Sequence, residues 1–243
     1  MFEPLKAAFG RYMYRFFKDL TPTTKPMVRY CQREFQYAVM LAPGRMIDQV
    51  EELLSKYLRA DKDGEKTRPH DLPVILVAFG RDVTPTGRDY TRQVSEGVWV
   101  QLPGDELERT FKLKTIASDV RVQVAIFASD EPTARSIAAQ FMLYVDDISN
   151  RRFKVDYEYA GVPLSFPAQL ESPEVMAPVM PIEAKNLTVL AVDLNLHCTI
   201  PLFKAPKEGE PDDGLGIPGD MYQPSGYPVV SEVQSTGRVK EWF

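Results

Sequence analysis

NLTVLAVDLNLHCTIPLF, residues 186–203, alternates between two kinds of side chain along almost its whole length. The even-numbered positions are mainly leucine, valine, cysteine and isoleucine, whereas the odd-numbered ones include Asp193, Asn195 and His197. A period of two is typical of a β-strand with one buried face. Because ordinary strands run about five or six residues, this pattern predicts a strand of about three times the usual length.

The composition indicates a folded protein that is not a general nucleic-acid binder. The chain has 243 residues, of which 44% are hydrophobic and 26% are charged. These proportions favour a packed core over global disorder. Its formal net charge is −5, whereas proteins that bind duplexes generally rely on a basic surface to displace counterions. A local basic patch remains compatible with this charge.

Cysteine usage and hydropathy predict the compartment. The two cysteines, Cys31 and Cys198, form no disulfide framework and favour a reducing environment. The first twenty residues lack the unbroken apolar core of a signal peptide. The longest apolar run, LPVILVAFG at 72–80, is too short to span a bilayer. We therefore expect a soluble protein in a cytoplasm-like environment.

Periodicity outside the long strand predicts one α+β body over residues 1–203, in which a mixed or antiparallel sheet is flanked by a few helices. Apolar stripes at helical spacing predict a helical N-terminal part over 1–60. The continuous run at 72–80 indicates a buried central strand. Residues 27–41 fit either a helix or a strand. Helices are predicted over 4–20, over 43–60 and from a cap at Asp130 to Val145, and further strands over 98–103, 111–117, 119–128 and 152–161.

Residues 204–243 differ from the rest of the chain. They hold five prolines and six glycines and show no helical or strand period, which predicts an extended C-terminal arm rather than part of a core. A solvated tail rarely needs large apolar side chains, so we expect a partner to hold this arm. The predicted assembly residues are Tyr222, Tyr227, Val229, Val230, Trp242 and Phe243.

The chemistry-bearing residues predict no catalytic, metal or cofactor site, and hence no enzyme. His197 and Cys198 are adjacent, but neighbouring side chains of a strand point to opposite faces, so they cannot act as a pair. The histidines and cysteines show no metal-ligand spacing. A phosphate-binding glycine loop and a nucleophile elbow are also absent from the sequence. Arg81, Arg88 and Arg92 could bind an anion, although a solvated loop face is favoured, and Trp99 is predicted to be part of the core.

The order of elements over residues 72–206 carries a resemblance. The buried LPVILVAFG strand is followed by a polar loop, the strand at 119–128, the link SDEP and a helix that ends in FMLYV. RFKVDYEY, VPLSF and the long strand ending in TIPLFKAP come next. This order resembles the tail terminator, or tail sheath stabiliser, family of contractile-tailed bacteriophages.

The resemblance implies a structural virion protein, assembled in the host cytoplasm. Members of such a family form a ring, usually of six subunits, that caps the head-proximal end of the tail tube and sheath and contacts the neck. Genomic DNA only passes through the lumen of such a ring. Two hypotheses for the long strand remain open: an edge that pairs with neighbouring chains, or a single long curved strand within one chain. The alternatives for function are another neck, connector or baseplate protein, or an α+β enzyme or ligand-binding domain with an unrecognised site.

Overall fold

The computed structural model describes residues 2–42, 72–80, 82, 84–85, 97–171, 176–180 and 187–229. Helices and strands of this part form an α+β fold around one mixed sheet, as predicted. The helices are α1 (Glu3–Asp19), α2 (Lys25–Cys31), α3 (Phe35–Ala38) and α4 (Glu131–Asp146). The strands are β1 (Val39–Leu41), β2 (Val74–Phe79), β3 (Thr84–Pro85), β4 (Val98–Gln101), β5 (Thr110–Ala128), β6 (Arg152–Tyr159), β7 (Val162–Leu170) and β8 (Thr188–Lys204). The predicted helix over 43–60 and the arginines at 81, 88 and 92 lie outside the described residues.

The sheet has the order β1-β2-β5-β8-β7-β6, and β3 and β4 also pair with β5. β1 runs parallel to β2, whereas β2 is antiparallel to β5 and β7 is antiparallel to β8. β6 and β7 are joined by Ala160 and Gly161, both at positive φ (54° and 79°). Two left-handed residues are what a tight type I′ hairpin requires.

The predicted long strand is confirmed. β8 runs unbroken for 17 residues. It lies between β5 and β7 in the sheet, and near its start Leu190 also pairs with Val179. These neighbours belong to the same chain, which favours the hypothesis of a single long strand within one chain, and pairing of part of its edge with neighbouring chains stays a hypothesis. Its neighbour β5 has 19 residues, so each of these two long strands has a partner of similar length in the same chain.

β5 replaces two predicted strands. The strands predicted over 111–117 and 119–128 are one, because β5 passes through Ser118 and Asp119 without a break. Ser118 donates a hydrogen bond from its hydroxyl to the carbonyl of Thr84 (3.1 Å). The carboxylate of Asp119 contacts the imidazole of His197. Because both polar side chains have partners, they do not require a turn.

The main core lies between one face of the sheet and the helices. The stripe predicted for α1 is buried, and its rings contact those of other elements: Phe16 and Phe141 have centroids 4.9 Å apart. The side chain of Asp130 caps α4 by accepting the N–H of Thr133 (2.9 Å), as predicted. Within the described segments, no helix combines the length and the hydropathy of a membrane span.

Contacts between residues divide the chain into two units. The first comprises Met1–Arg92, Ile116–Tyr157 and Ser165–Ile200, and it contains the helices and the main core. The second comprises Gln93–Thr115, Glu158–Leu164 and Pro201–Phe243. The predicted division into a body over 1–203 and an arm over 204–243 stays a prediction.

Candidate functional site

The described part of the arm is a closed loop rather than a free tail. Beyond β8, residues 205–229 form no helix and no strand other than an isolated bridge between Ile217 and Pro224. The N–H of Asp213 donates to the carbonyl of Gly226 (2.9 Å), and the N–H of Ile217 donates to that of Gln223 (2.9 Å). These bonds bring the two ends of the loop together, so the segment between them has a defined shape.

Two aspartates fix the turns of this loop. Oδ1 of Asp213 accepts the N–H groups of Leu215 (2.9 Å) and Gly226 (3.0 Å). Oδ1 of Asp220 accepts the N–H of Tyr222 (2.7 Å) and the N–H that follows it (2.6 Å). The latter bonds favour the ionised carboxylate and lower the pKa of Asp220. Carboxylates that bond to nearby backbone donors are a common way to hold turns.

A buried ion pair lies at the base of the loop. The guanidinium of Arg109 binds the carboxylate of Asp105 through two bonds, Nη2 to Oδ1 (2.8 Å) and Nε to Oδ2 (3.0 Å). Their side chains are only 5% and 3% exposed. The side-chain hydrogen bond from Arg109 is the main cause of the lowered pKa of Asp105, and Asp105 in turn raises the pKa of Arg109. Both groups are therefore charged at neutral pH.

The same arginine attaches the arm to the start of β5. Nη1 of Arg109 donates to the carbonyl of Pro224 (2.8 Å), and the N–H of Tyr227 donates to the carbonyl of Thr110 (2.8 Å). The ring of Tyr227 packs edge-on against Trp99, with centroids 5.0 Å apart. We call Asp105, Arg109, Asp213 and Gly226 the arm anchor.

Gly226 is required at this point because the chain passes close to its neighbours. A Cβ added there would collide with the carboxylate of Asp213 and lie 2.9 Å from Cβ of Arg109. The carboxylate cannot move aside cheaply, since it already accepts two backbone N–H groups. The anchor therefore depends on the absence of a side chain at residue 226.

Three of the six predicted assembly residues lie among the described ones, and their surroundings differ. Tyr222 is 80% exposed and Val229 is 66% exposed. Tyr227 is half-buried against Trp99 of its own chain, so it contributes to holding the arm. Val230, Trp242 and Phe243 lie outside the described residues.

The prediction for Trp99 is wrong, since its side chain is 56% exposed. β4 belongs to the second unit, whereas the helix-covered core belongs to the first. The indole instead contacts the ring of Tyr227 and the ammonium of Lys112, which lies 5.3 Å from the ring centroid. Strand alternation alone could not show whether the side chain of Trp99 faces the core or solvent.

Sequence reasoning did not single out the apolar neighbours of Tyr222 or the ion pair that holds the arm. Next to Tyr222, Met221 is 75% exposed, and Ile217 is 55% exposed. We call residues 214–222, which carry these side chains, the arm tip. The spacing of Asp105 and Arg109 is an available signal, because a single turn between them lets their side chains meet. That spacing does not reveal burial, which depends on the distant arm.

A second polar cluster lies on the sheet in the first unit. The imidazole of His197 contacts the Asp119 carboxylate through Nδ1, and its Nε2 lies 3.5 Å from Glu171. Cys198 points to the apolar side, where burial raises its pKa to about 11. The predicted separation of His197 and Cys198 is thus confirmed. No group of three or more histidine, cysteine or acidic side chains in the described segments could hold a metal ion.

No protein-family model matches this chain, and no curated protein matches it either. A functional conclusion must therefore come from the site and from the order of elements. Among the described residues, the feature that bears most directly on function is the anchored arm with its exposed apolar tip.

Proposed function

We propose that this protein is a structural virion protein that forms a ring at the head-proximal end of a phage tail, where it caps the tube and sheath and joins them to the neck. The observation that carries the proposal is the arm tip, a loop held in a fixed shape that presents large apolar side chains outward. The α+β order of β2, β5, α4, β6, β7 and β8 supports the same proposal through its resemblance to tail terminators.

An exposed, pre-shaped apolar loop is favourable for assembly. Ile217, Met221 and Tyr222 are each more than half exposed, and burying an aliphatic or thioether side chain of this size contributes roughly 1.5–3 kcal/mol. Methionine and tyrosine are enriched in protein interfaces. Because the hydrogen bonds of the anchor already fix the loop, less conformational entropy is lost on binding than for a free tail.

A tip that binds a different surface of a neighbouring copy makes a heterologous contact. Repetition of such a contact produces a closed ring when the rotation between copies closes, and an open filament when it does not. Under this proposal the partners are further copies of the chain, the tail tube, the sheath and the neck proteins. DNA passes through the lumen, and the protein resides in the virion.

The test compares the full chain with a chain that ends at residue 206. Native mass spectrometry and negative-stain imaging are recorded over a range of concentrations, with and without purified tail tubes. We expect closed rings from the full chain, either alone or on tubes, and a folded monomer from the truncated chain. Normal assembly of the truncated chain would refute the role of the arm.

The virion location needs a separate experiment. Particles made from the genome that encodes this chain are labelled with an antibody against it, and the same genome is tested with the coding sequence interrupted. We expect label at the junction of tail and neck, and tails of uncontrolled length or without heads after interruption. Labelled heads, labelled baseplates or normal tails without the protein would contradict the proposal.

A further inference from the structure

The N-terminal helices expose a surface that is both aromatic and basic. Arg11, Tyr14 and Lys18 occur at i, i+3 and i+7 of α1 and therefore share one face. Tyr14 is 45% exposed and contacts the half-buried ring of Phe35 from α3, with centroids 5.2 Å apart. The ammonium of Lys18 lies 5.5 Å from the ring centroid of Tyr14. We call Tyr14, Lys18 and Phe35 the helical patch.

The charges around this patch are mostly positive and partly uncompensated. Residues 2–42 contain seven basic and three acidic side chains, a net charge of +4 in a chain whose total is −5. Arg11 is paired with Asp156 (2.7 Å). Among the described residues, Arg15 and Lys18 have no carboxylate within ion-pair distance, so both remain available to an acidic partner.

The arm has the opposite character. Residues 204–229 contain two lysines and five acidic side chains, a net charge of −3. Glu208 lies close to the tip, because its N–H is 3.8 Å from where a Cβ of Gly219 would be. The tip thus combines exposed apolar side chains with negative charge, whereas the helical patch combines an aromatic surface with positive charge.

We propose that the arm tip of one copy binds the helical patch of a second copy. The inference rests on the proposed function and specifies the contact between neighbouring subunits. Opposite charges steer the two surfaces together, and like charges disfavour contacts between two tips or two patches. The contact is therefore directional, from head to tail, as a ring requires.

Charge reversal in the full chain tests this contact. Lys18→Glu and Glu208→Lys should each raise the concentration at which rings form by about tenfold or more, and the double variant should recover most of the loss. Lys154→Glu, which makes the same change at an exposed position of β6, should leave ring formation unchanged. Equal loss in all three single variants, or no recovery in the double variant, would overturn the proposal.

Mixing provides a second test that does not depend on charge. Tyr14→Ser removes the patch and Tyr222→Ser removes the tip, so neither variant alone should form rings. When the two are mixed, the intact tip of the first binds the intact patch of the second, and we expect heterodimers in native mass spectra. Absence of heterodimers contradicts the proposal. Circular dichroism and urea unfolding confirm that each variant is folded.

The outcomes separate this inference from the proposed function. Rings that need the arm but tolerate both Lys18→Glu and Tyr14→Ser would overturn the helical patch and leave the ring proposal standing. A full chain that stays monomeric with and without tubes would overturn both. If Lys18→Glu weakens binding to duplex DNA and leaves rings unchanged, the basic surface serves nucleic acid and the inference is wrong.

Discussion

Replacing Arg109 by methionine should destabilise the second unit strongly and release the arm. Methionine retains much of the side-chain volume but removes the charge and the donors. The carboxylate of Asp105, whose side chain is 3% exposed, would then be buried without its counter-ion. Breaking a buried pair in this way costs about 3–5 kcal/mol. Loss of the bond to the carbonyl of Pro224 adds about 1 kcal/mol.

The assay is urea unfolding followed by circular dichroism, together with hydrogen exchange of the arm amides. In the Arg109→Met variant, we expect the N–H groups of Leu215, Gly226 and Tyr227 to exchange much faster. The double variant Arg109→Met/Asp105→Leu should regain much of the lost stability, since it removes the unpaired charge. Arg135→Met, which breaks an exposed pair on α4, should change stability by less than about 1 kcal/mol.

The pH dependence of the free energy of unfolding provides an independent test of the anchor. Arg109 lowers the pKa of Asp105, so the pair stabilises the folded chain above the unfolded pKa, near 4, and this contribution is lost as pH falls through the folded pKa. In Arg109→Met, burial instead raises the pKa of the carboxyl group, so acidification should restore part of the stability. A cost below about 1 kcal/mol, or a double variant as unstable as the single one, would refute this account of the anchor.

Three further predictions concern single positions. Gly226→Ala should lower stability and speed exchange of the arm amides, because its Cβ meets the carboxylate of Asp213; unchanged exchange would contradict this. Gly10→Ala should raise the urea midpoint by the equivalent of about 0.5–1 kcal/mol, since Gly10 lies inside α1 and its new Cβ has no atom within 4 Å; a lower midpoint would show a hidden clash. At pH 8, iodoacetamide should label Cys31, which is partly exposed, well before Cys198, whose pKa burial raises to about 11. Peptide mass spectrometry measures both rates, and equal rates without denaturant would contradict the assigned burial.

Local patterns were sufficient to predict several elements. The stripe of α1, the Asp130 cap of α4 and the alternation of β8 each depend on residues within one or two turns or along one strand. β5 was divided wrongly because its polar residues find partners far along the chain. Ser118 bonds to a residue 34 positions away and Asp119 contacts one 78 positions away. A single sequence shows the polarity of such residues but not their partners.

The same limit applies to the candidate site. Composition indicated that the apolar side chains of the arm have a use, but it could not sort them. Tyr222 and Tyr227 are five positions apart, yet one faces outward and the other packs on Trp99. The sorting follows from the turn at Asp220 and from the bond between Arg109 and Pro224, which are 115 positions apart. Only the closed loop determines which side of the arm is presented.

The place of β8 between β5 and β7 disfavours that strand as the main surface of the proposed assembly. β6 lies at one end of the described sheet order. Its exposed positions carry Arg152, Lys154, Asp156 and Glu158, and charges along an edge strand disfavour pairing with another chain. Sheet extension through β6 is therefore unfavourable. The arm tip differs from β6, because its charges lie beside exposed apolar side chains. The loop that carries them is held by buried hydrogen bonds. This contrast favours the proposed assembly through the arm, and variants of β6 that keep its charge pattern should leave ring formation unchanged.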